Sequence, residues 1–241
     1  MASKSKSKNN NTSIIIHEKE SKLFLEMINK SNEIYIDTGS NSRSSKKVIN
    51  IHKWIVNTIK SFLPENMKIE LEKKVQSNTK SGKKKCDIVI YKEDIPYIIL
   101  PVKYCMTCYN KNAYNYWENI QGELMSLKFE AANNNTKLYI IPINIISNQI
   151  PNRNNKGIIT NMEEITYENS LKIYETLKDI PSGNMRNISP LCIDVISYII
   201  DVKQNCNIGE IYDKCPNIIG FNKYTQYRNF QEILKPILDQ Y

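Results

Sequence analysis

No apolar run in this chain comes near the roughly 18 to 20 residues that a membrane-spanning helix needs, so no bilayer span is expected. No apolar h-region follows the basic start MASKSKSKNNNTS before HEKE, so no secretory signal is read there and the expected location is intracellular. Histidine is nearly absent, with His17 and His52 alone. The single C-x-x-C, Cys105-Met-Thr-Cys108, has no second copy, which leaves Cys206 with Cys215 as the pair to complete a four-sulfur zinc site, and buried small hydrophobes are the default reading. Cys86, Cys192, Cys206 and Cys215 are irregularly spaced in a chain too large to need disulfide staples, and reduced thiols fit best. No internal repeat divides the 241 residues, a length that suits one main core with appendages.

Positive charge is in excess. Thirty-three Lys and Arg against 25 Asp and Glu give a formal net charge of +8, which favours polyanionic partners such as nucleic acid over acidic small molecules. Residues 1–13, made of Ser, Lys and Asn without periodic apolar content, read as a disordered basic tail. The rest, 14–241, reads as a single domain with a core at about 45–146 and a helical C-terminal part at 160–241.

The order of elements follows from periodicity. Leu23, Phe24, Met27 and Ile28 form a helical stripe, and a second helix carries Val48, Ile51, Ile55, Ile59 and Phe62 before Pro64, with Ser44 and Ser45 placed to cap it. Three strands come next: MKIELEKKVQS with alternating apolar residues, then the nearly continuous runs CDIVIYK and IPYIILPVKY, joined by SNTKSGKKK and EDIP into an antiparallel meander. A helix is expected to start near Asn112 or Asn115, followed by the strand TKLYIIPINII and a helix over ENSLKIYETLKD. SPLCIDVISYIIDVK is read as a buried helix with Pro190 in its first turn, and TQYRNFQEILKPILDQY as a last helix interrupted at Pro236. Interleaving of this kind predicts a mixed α/β fold, a central mixed sheet flanked by helices.

Within this frame the stretch KCDIVIYKEDIPYIILPVKYC places Asp87 near the start of one buried strand and Lys103 at the end of the next. Side chains alternate along a strand, so positions 101 and 103 share a face while the carbonyl of Val102 turns elsewhere. Hydrolysing a phosphodiester calls for a hard cation held by carboxylates and for a nucleophile made from water, and a lysine in that field can assist the water.

This arrangement resembles the PD-(D/E)XK nuclease superfamily, which includes many type II restriction endonucleases, over about residues 45–146. The resemblance implies a restriction-endonuclease-like core in which the aspartate and an acidic residue two before the lysine hold Mg²⁺, and the lysine positions or activates the attacking water. Asp87 matches the aspartate and Lys103 the lysine, with Val102 contributing a backbone oxygen to the metal; Cys86 stands where the family name has proline. Pro101 occupies the position of the second acid and offers no carboxylate. Some restriction enzymes of the superfamily carry a relocated glutamate on the helix after the lysine strand, and here that helix supplies Glu118 and Glu123. Five residues turn a helical side chain by about 140°, so the two cannot face the site equally. Glu118 is the preferred candidate by spacing, although Asn115-x-x-Glu118 also spells a capping box; Glu123 follows Gly122.

Lys83, Lys84 and Lys85, read as part of a basic loop, and Lys111, Asn112 and Asn115 near the start of the helix, are the candidate nucleic-acid contacts. Residues 147–165, polar with Arg153 and Lys156, read as a groove-reading insertion. The expected activity is a Mg²⁺-dependent endonuclease on double-stranded DNA, dimeric if its target is palindromic. A different class of function follows from Pro101 itself: a catalytically silent nuclease-like fold that only binds nucleic acid or serves as an assembly subunit.

Overall fold

The computed structural model describes residues 5–38 and 45–240. Helix α1 runs Ser5–Asp37, and a 3-10 turn at Ser45–Val48 leads into α2, Ile49–Lys60. Residues 5–13 thus join a helix where composition alone predicts a disordered tail. Extending a helix already nucleated costs far less than starting one, and the packed part of α1, with Phe24 and Ile28 fully buried, provides the nucleus. Ser44 and most of the loop predicted over 37–45 lie outside the described residues.

Strands β1 (Met67–Gln76), β2 (Lys83–Lys92) and β3 (Ile95–Leu100) form the predicted antiparallel meander. The predicted third strand ends early, at Leu100. After Pro101 the chain continues as β4 (Val102–Cys105), which belongs to a second sheet. Helix α3 (Tyr109–Asn133) leads to β5 (Tyr139–Ile140) and β6 (Ile143–Ser147), which lie parallel to β3 and β4 respectively.

The two sheets meet along this parallel pair. Ile99 faces Ile140 and Val102 faces Ile143, the same offset on both sides, so Pro101 stands opposite Pro142. Neither can donate to the ladder. The Ile141 N–H donates to the Ile99 carbonyl at 3.0 Å and the Ile143 N–H to the Pro101 carbonyl at 2.8 Å, so the pairing carries across the double-proline break.

The C-terminal part departs from the helical expectation for 160–241. Residues 147–165 form a hairpin of β7 (Gln149–Arg153) and β8 (Ile159–Glu164). The predicted single helix over ENSLKIYETLKD is broken into α4 (Tyr167–Ser170), α5 (Lys172–Glu175) and a 3-10 turn. A small hairpin, β9 (Pro181–Asn184) and β10 (Asn187–Pro190), follows. The predicted helix after Pro190 is instead β11 (Ile196–Lys203), parallel to β6 and antiparallel to β12 (Asn217–Phe221). A short apolar run rich in Ile, Val and Tyr suits a buried strand as well as a buried helix, and burial on both faces decides for the strand. Helix α6 spans Phe230–Leu238 with Pro236 inside it, and Asn229 caps it through its Oδ1, which accepts from the Gln231 and Glu232 N–H groups.

The result is a mixed α/β protein in three layers. On one face of the strands Ile88, Ile98, Leu100 and Tyr198 pack with Phe24 of α1, Ile51 and Ile55 of α2, and Phe230 of α6. On the other face Val89, Ile99, Ile146 and Ile199 pack with Ile120, Leu124 and Leu127 of α3 and with Leu171 and Tyr174. No helix among the described residues is long and apolar enough to cross a membrane.

Leu100 is fully buried at the last position before the break. Leu100→Ala is expected to cost about 2–5 kcal/mol in guanidinium unfolding, whereas Ile188→Ala, on the 68% exposed tip hairpin, stays within about 0.5 kcal/mol. Equal effects of the two would contradict the placement of the core.

Candidate active-site cleft

The break at Pro101 opens a gap between β2 and β4. Pairing of β2 with β3 stops at Ile88 opposite Leu100, while β2 runs on beside β1 and β4 stands at the edge of its own sheet. The Val102 N–H therefore has no strand to donate to on that side. Asp87 Oδ2 accepts it instead, at 2.8 Å. A strand residue sends its N–H and its carbonyl out along the same edge, so the Val102 carbonyl faces the gap beside Asp87.

A second irregularity sits at the same level. Glu72, opposite Asp87 in the β1–β2 register, has φ of 52° and drops out of the ladder, although the register is unchanged on both sides of it. Its carboxylate is held by Lys85 at 2.5 Å. Beneath this defect His52 of α2 is 1% exposed, and neither of its ring nitrogens has a hydrogen-bond partner. Burial holds its pKa below the ordinary imidazole value, and the nearby Asp87 and Glu72 carboxylates oppose the shift.

The cleft has a volume of about 720 Å³. Its floor is β4 and β6, including Lys103 and Asn144; one wall is α3, and Lys47 and Val48 at the entry to α2 close the other side. Helix α3 begins at Tyr109, earlier than predicted, because its first turn is pinned from outside. Cys108 adopts a left-handed conformation, the Tyr109 hydroxyl donates to the Ser170 carbonyl at 2.7 Å, and the Asn110 N–H donates to buried Glu163 at 3.0 Å. A carboxylate at a helix N-terminus also complements its dipole. This start sets the phase of the helix. Tyr109, Asn112, Tyr116, Asn119 and Glu123 recur at spacings of three and four and all line the cleft.

Glu118 falls elsewhere. It is exposed, does not line the cleft, and with Asn115 already inside the helix the predicted capping box does not form. Glu123 is the helix carboxylate that meets the lysine: its Oε2 lies 3.8 Å from Lys103 Nζ and 3.4 Å from Lys84 Nζ, with the glutamate side chain only 14% exposed. Cys86 also reports the convergence of these charges. Burial pushes its thiol up to about 12, Glu123 and Asp87 add to the rise, and Lys84 and Lys103 oppose it.

The candidate phosphate contacts divide. Lys83, Lys84 and Lys85 lie on β2 and not in a loop, so neighbours alternate in direction: Lys84 reaches Glu123, and Lys85 reaches Glu72. Lys83 and Lys111 are exposed. Asn112 and Asn115 line the cleft, the former donating its Nδ2 to the Cys108 carbonyl at 2.9 Å. Trp117 binds α3 to the fold, its Nε1 donating to the Ile173 carbonyl at 3.2 Å.

Sequence reasoning passed over Lys47, His52 and Asn144. Lys47 is half-buried, with its Nζ 5.3 Å from the Tyr35 ring centroid, and burial lowers its pKa. Asn144 had a signal, a lone amide in the apolar run YIIPINII.

Asp87 and Glu123 are the acidic residues of the cleft lining. Among the described residues no group of three or more His, Cys, Asp or Glu gathers as a metal-binding cluster, and all six cysteines are unpaired. Two carboxylates and a strand carbonyl suit Mg²⁺, which keeps several of its waters and takes few protein ligands. Comparison of the chain with family models, with curated proteins and with solved structures found no match.

His52, buried beneath the strand defect, gives the fold a pH signature. Its folded-state pKa is lowered, so the unfolded chain binds a proton that the folded chain refuses, and stability falls as pH drops from about 6.5 towards the lowered value. Urea unfolding of the wild type is expected to lose more stability between pH 7.5 and pH 5 than that of His52→Leu. Parallel pH profiles for the two chains would contradict the buried neutral imidazole.

Proposed function

We propose that the cleft is the centre of a Mg²⁺-dependent endonuclease that hydrolyses phosphodiester bonds of double-stranded DNA, in the manner of the PD-(D/E)XK nucleases. The observation that carries this reading is that Asp87, Lys103 and Glu123, from β2, β4 and α3, line one cleft. The residue-type pattern supports it with an acid on one strand, a lysine on its neighbour, and a helix glutamate in place of the carboxylate that Pro101 lacks.

The roles follow from chemistry. Asp87, Glu123 and the Val102 carbonyl would hold the cation, which supplies a polarised phosphoryl oxygen and a more acidic water. Lys103 neutralises a non-bridging phosphate oxygen and orients the water that attacks phosphorus in line with the departing sugar oxygen. As the new P–O bond forms, the attacking water gives up a proton to bulk water, the bond to the sugar oxygen breaks, and that oxygen takes a proton from solvent. Lys47 and Lys84 add positive charge at the cleft, which steers a polyanion towards it. Six unpaired cysteines support an intracellular setting. A homodimer is the assembly that a palindromic target would require.

A second reading rests on a specific observation. Glu123 already answers two ammonium groups, and Asp87 already caps a strand N–H, so both carboxylates have structural work. On that reading the chain binds nucleic acid or a partner without cutting.

A supercoiled-plasmid assay with Mg²⁺ separates the two. Asp87→Ala, Lys103→Ala and Glu123→Gln are each expected to lower the cleavage rate by about 100-fold or more, while Glu118→Ala leaves it unchanged. Salt-sensitive DNA binding with no cleavage by the wild type supports the silent reading, and cleavage that survives Asp87→Ala removes the proposed site.

A further inference from the structure

Lys103, Asn144 and Ser197 stand at one level across three adjacent parallel strands: Lys103 of β4 faces Asn144 of β6, which faces Ser197 of β11. Residues in register on parallel strands project from the same face. The three therefore form a polar row beside the cleft, at 49% exposure for the Lys103 side chain and 3% for Asn144.

The row is incompletely bonded. Neither Nδ2 nor Oδ1 of Asn144 has a hydrogen-bond partner, and the buried Oγ of Ser197 has none either. Buried polar atoms are overwhelmingly paired in folded proteins, and a desolvated amide without partners weakens a fold. Burial alone asks for nothing polar here, since the next residues on the same face, Ile146 and Ile199, are apolar core. An amide stands where the layer is otherwise built of branched aliphatic side chains.

Its neighbour has the complementary need. Lys103 is held by Glu123 at 3.8 Å, and Glu123 is shared with Lys84 at 3.4 Å. When Glu123 turns to another cation, the half-exposed Lys103 ammonium can exchange it for water or for a second acceptor on the protein. Neighbouring strands lie about 4.8 Å apart, within reach of a lysine stem, and the acceptor at that level is Asn144 Oδ1.

We propose that Asn144 is a positioning residue for Lys103: when Glu123 is engaged elsewhere, its Oδ1 takes the ammonium and, in that same state, its Nδ2 donates to Ser197 Oγ, which fixes the amide's orientation. The orphaned atoms are then the empty half of a two-position switch for Lys103. The exchange of partners stands on the row itself, and its catalytic consequence rests on the endonuclease reading above.

Two experiments test it. In a crystal structure of Glu123→Ala, Lys103 Nζ is expected about 2.7–3.2 Å from Asn144 Oδ1. Nζ turned to solvent, with the Asn144 amide bonded to ordered water, overturns the exchange. In the otherwise wild-type chain, Asn144→Leu is expected to keep or raise the melting temperature and to lower kcat for DNA cleavage about tenfold at unchanged KM, with Asn144→Asp restoring most of the rate. A lowered melting temperature with unchanged kcat makes Asn144 a structural residue and ends the proposal. If the wild type cuts no DNA, the endonuclease reading fails, and the crystal structure alone decides the exchange.

Discussion

One hydrogen bond organises the candidate site: the Val102 N–H to Asp87 Oδ2, at 2.8 Å. It exists because Pro101 ends the pairing of β2 with the next strand, leaving a donor at a sheet edge with no ladder to join. An unpaired buried N–H is costly, and a carboxylate is a strong acceptor for it. Asp87 thereby closes the wound in the sheet and is held, by the same bond, on the edge that floors the cleft. Had the ladder continued, β2 would cover β4 and no cleft would lie between them.

The electrostatics of the cleft follow from that opening. Lys47 and Lys103 balance Asp87 and Glu123 in the cleft lining, and Lys84, paired with Glu123, adds positive charge beside it. The long contacts of Glu123 with two half-exposed lysines add little to stability, since pairs at this exposure are screened by water. They are better understood as charges kept close and weakly committed. A phosphate and a cation entering together would give each of these groups a stronger partner than it has now.

Much of the architecture is legible in the sequence, and what is not has local causes. The meander of β1 to β3 declared itself through the alternation of Met67, Ile69 and Leu71 and through two apolar runs bounded by turns. In the sequence Pro101 reads as a missing carboxylate and not as the end of a strand, because its counterpart Pro142 lies across a pairing that no local window contains. β11 reads as helical in the sequence since an Ile-rich run buried on both faces lacks a period. The choice between Glu118 and Glu123 depends on helical phase. That phase is set at Tyr109 by Ser170 and Glu163, more than 50 residues away in sequence, and so spacing from Lys103 favours the glutamate that stands outside the cleft. His52 and Asn144 acquire meaning only from neighbours brought by the fold.

The proposed endonuclease requires that the strand-capping acid and the helix glutamate share one cation. The most direct measurement of that sharing is an anomalous difference map from crystals soaked in Mn²⁺ as a Mg²⁺ substitute. The account predicts a peak in the cleft about 2.0–2.6 Å from carboxylate oxygens of both Asp87 and Glu123, absent in Asp87→Ala. A map with no peak there, or with manganese bound only away from the cleft, contradicts it.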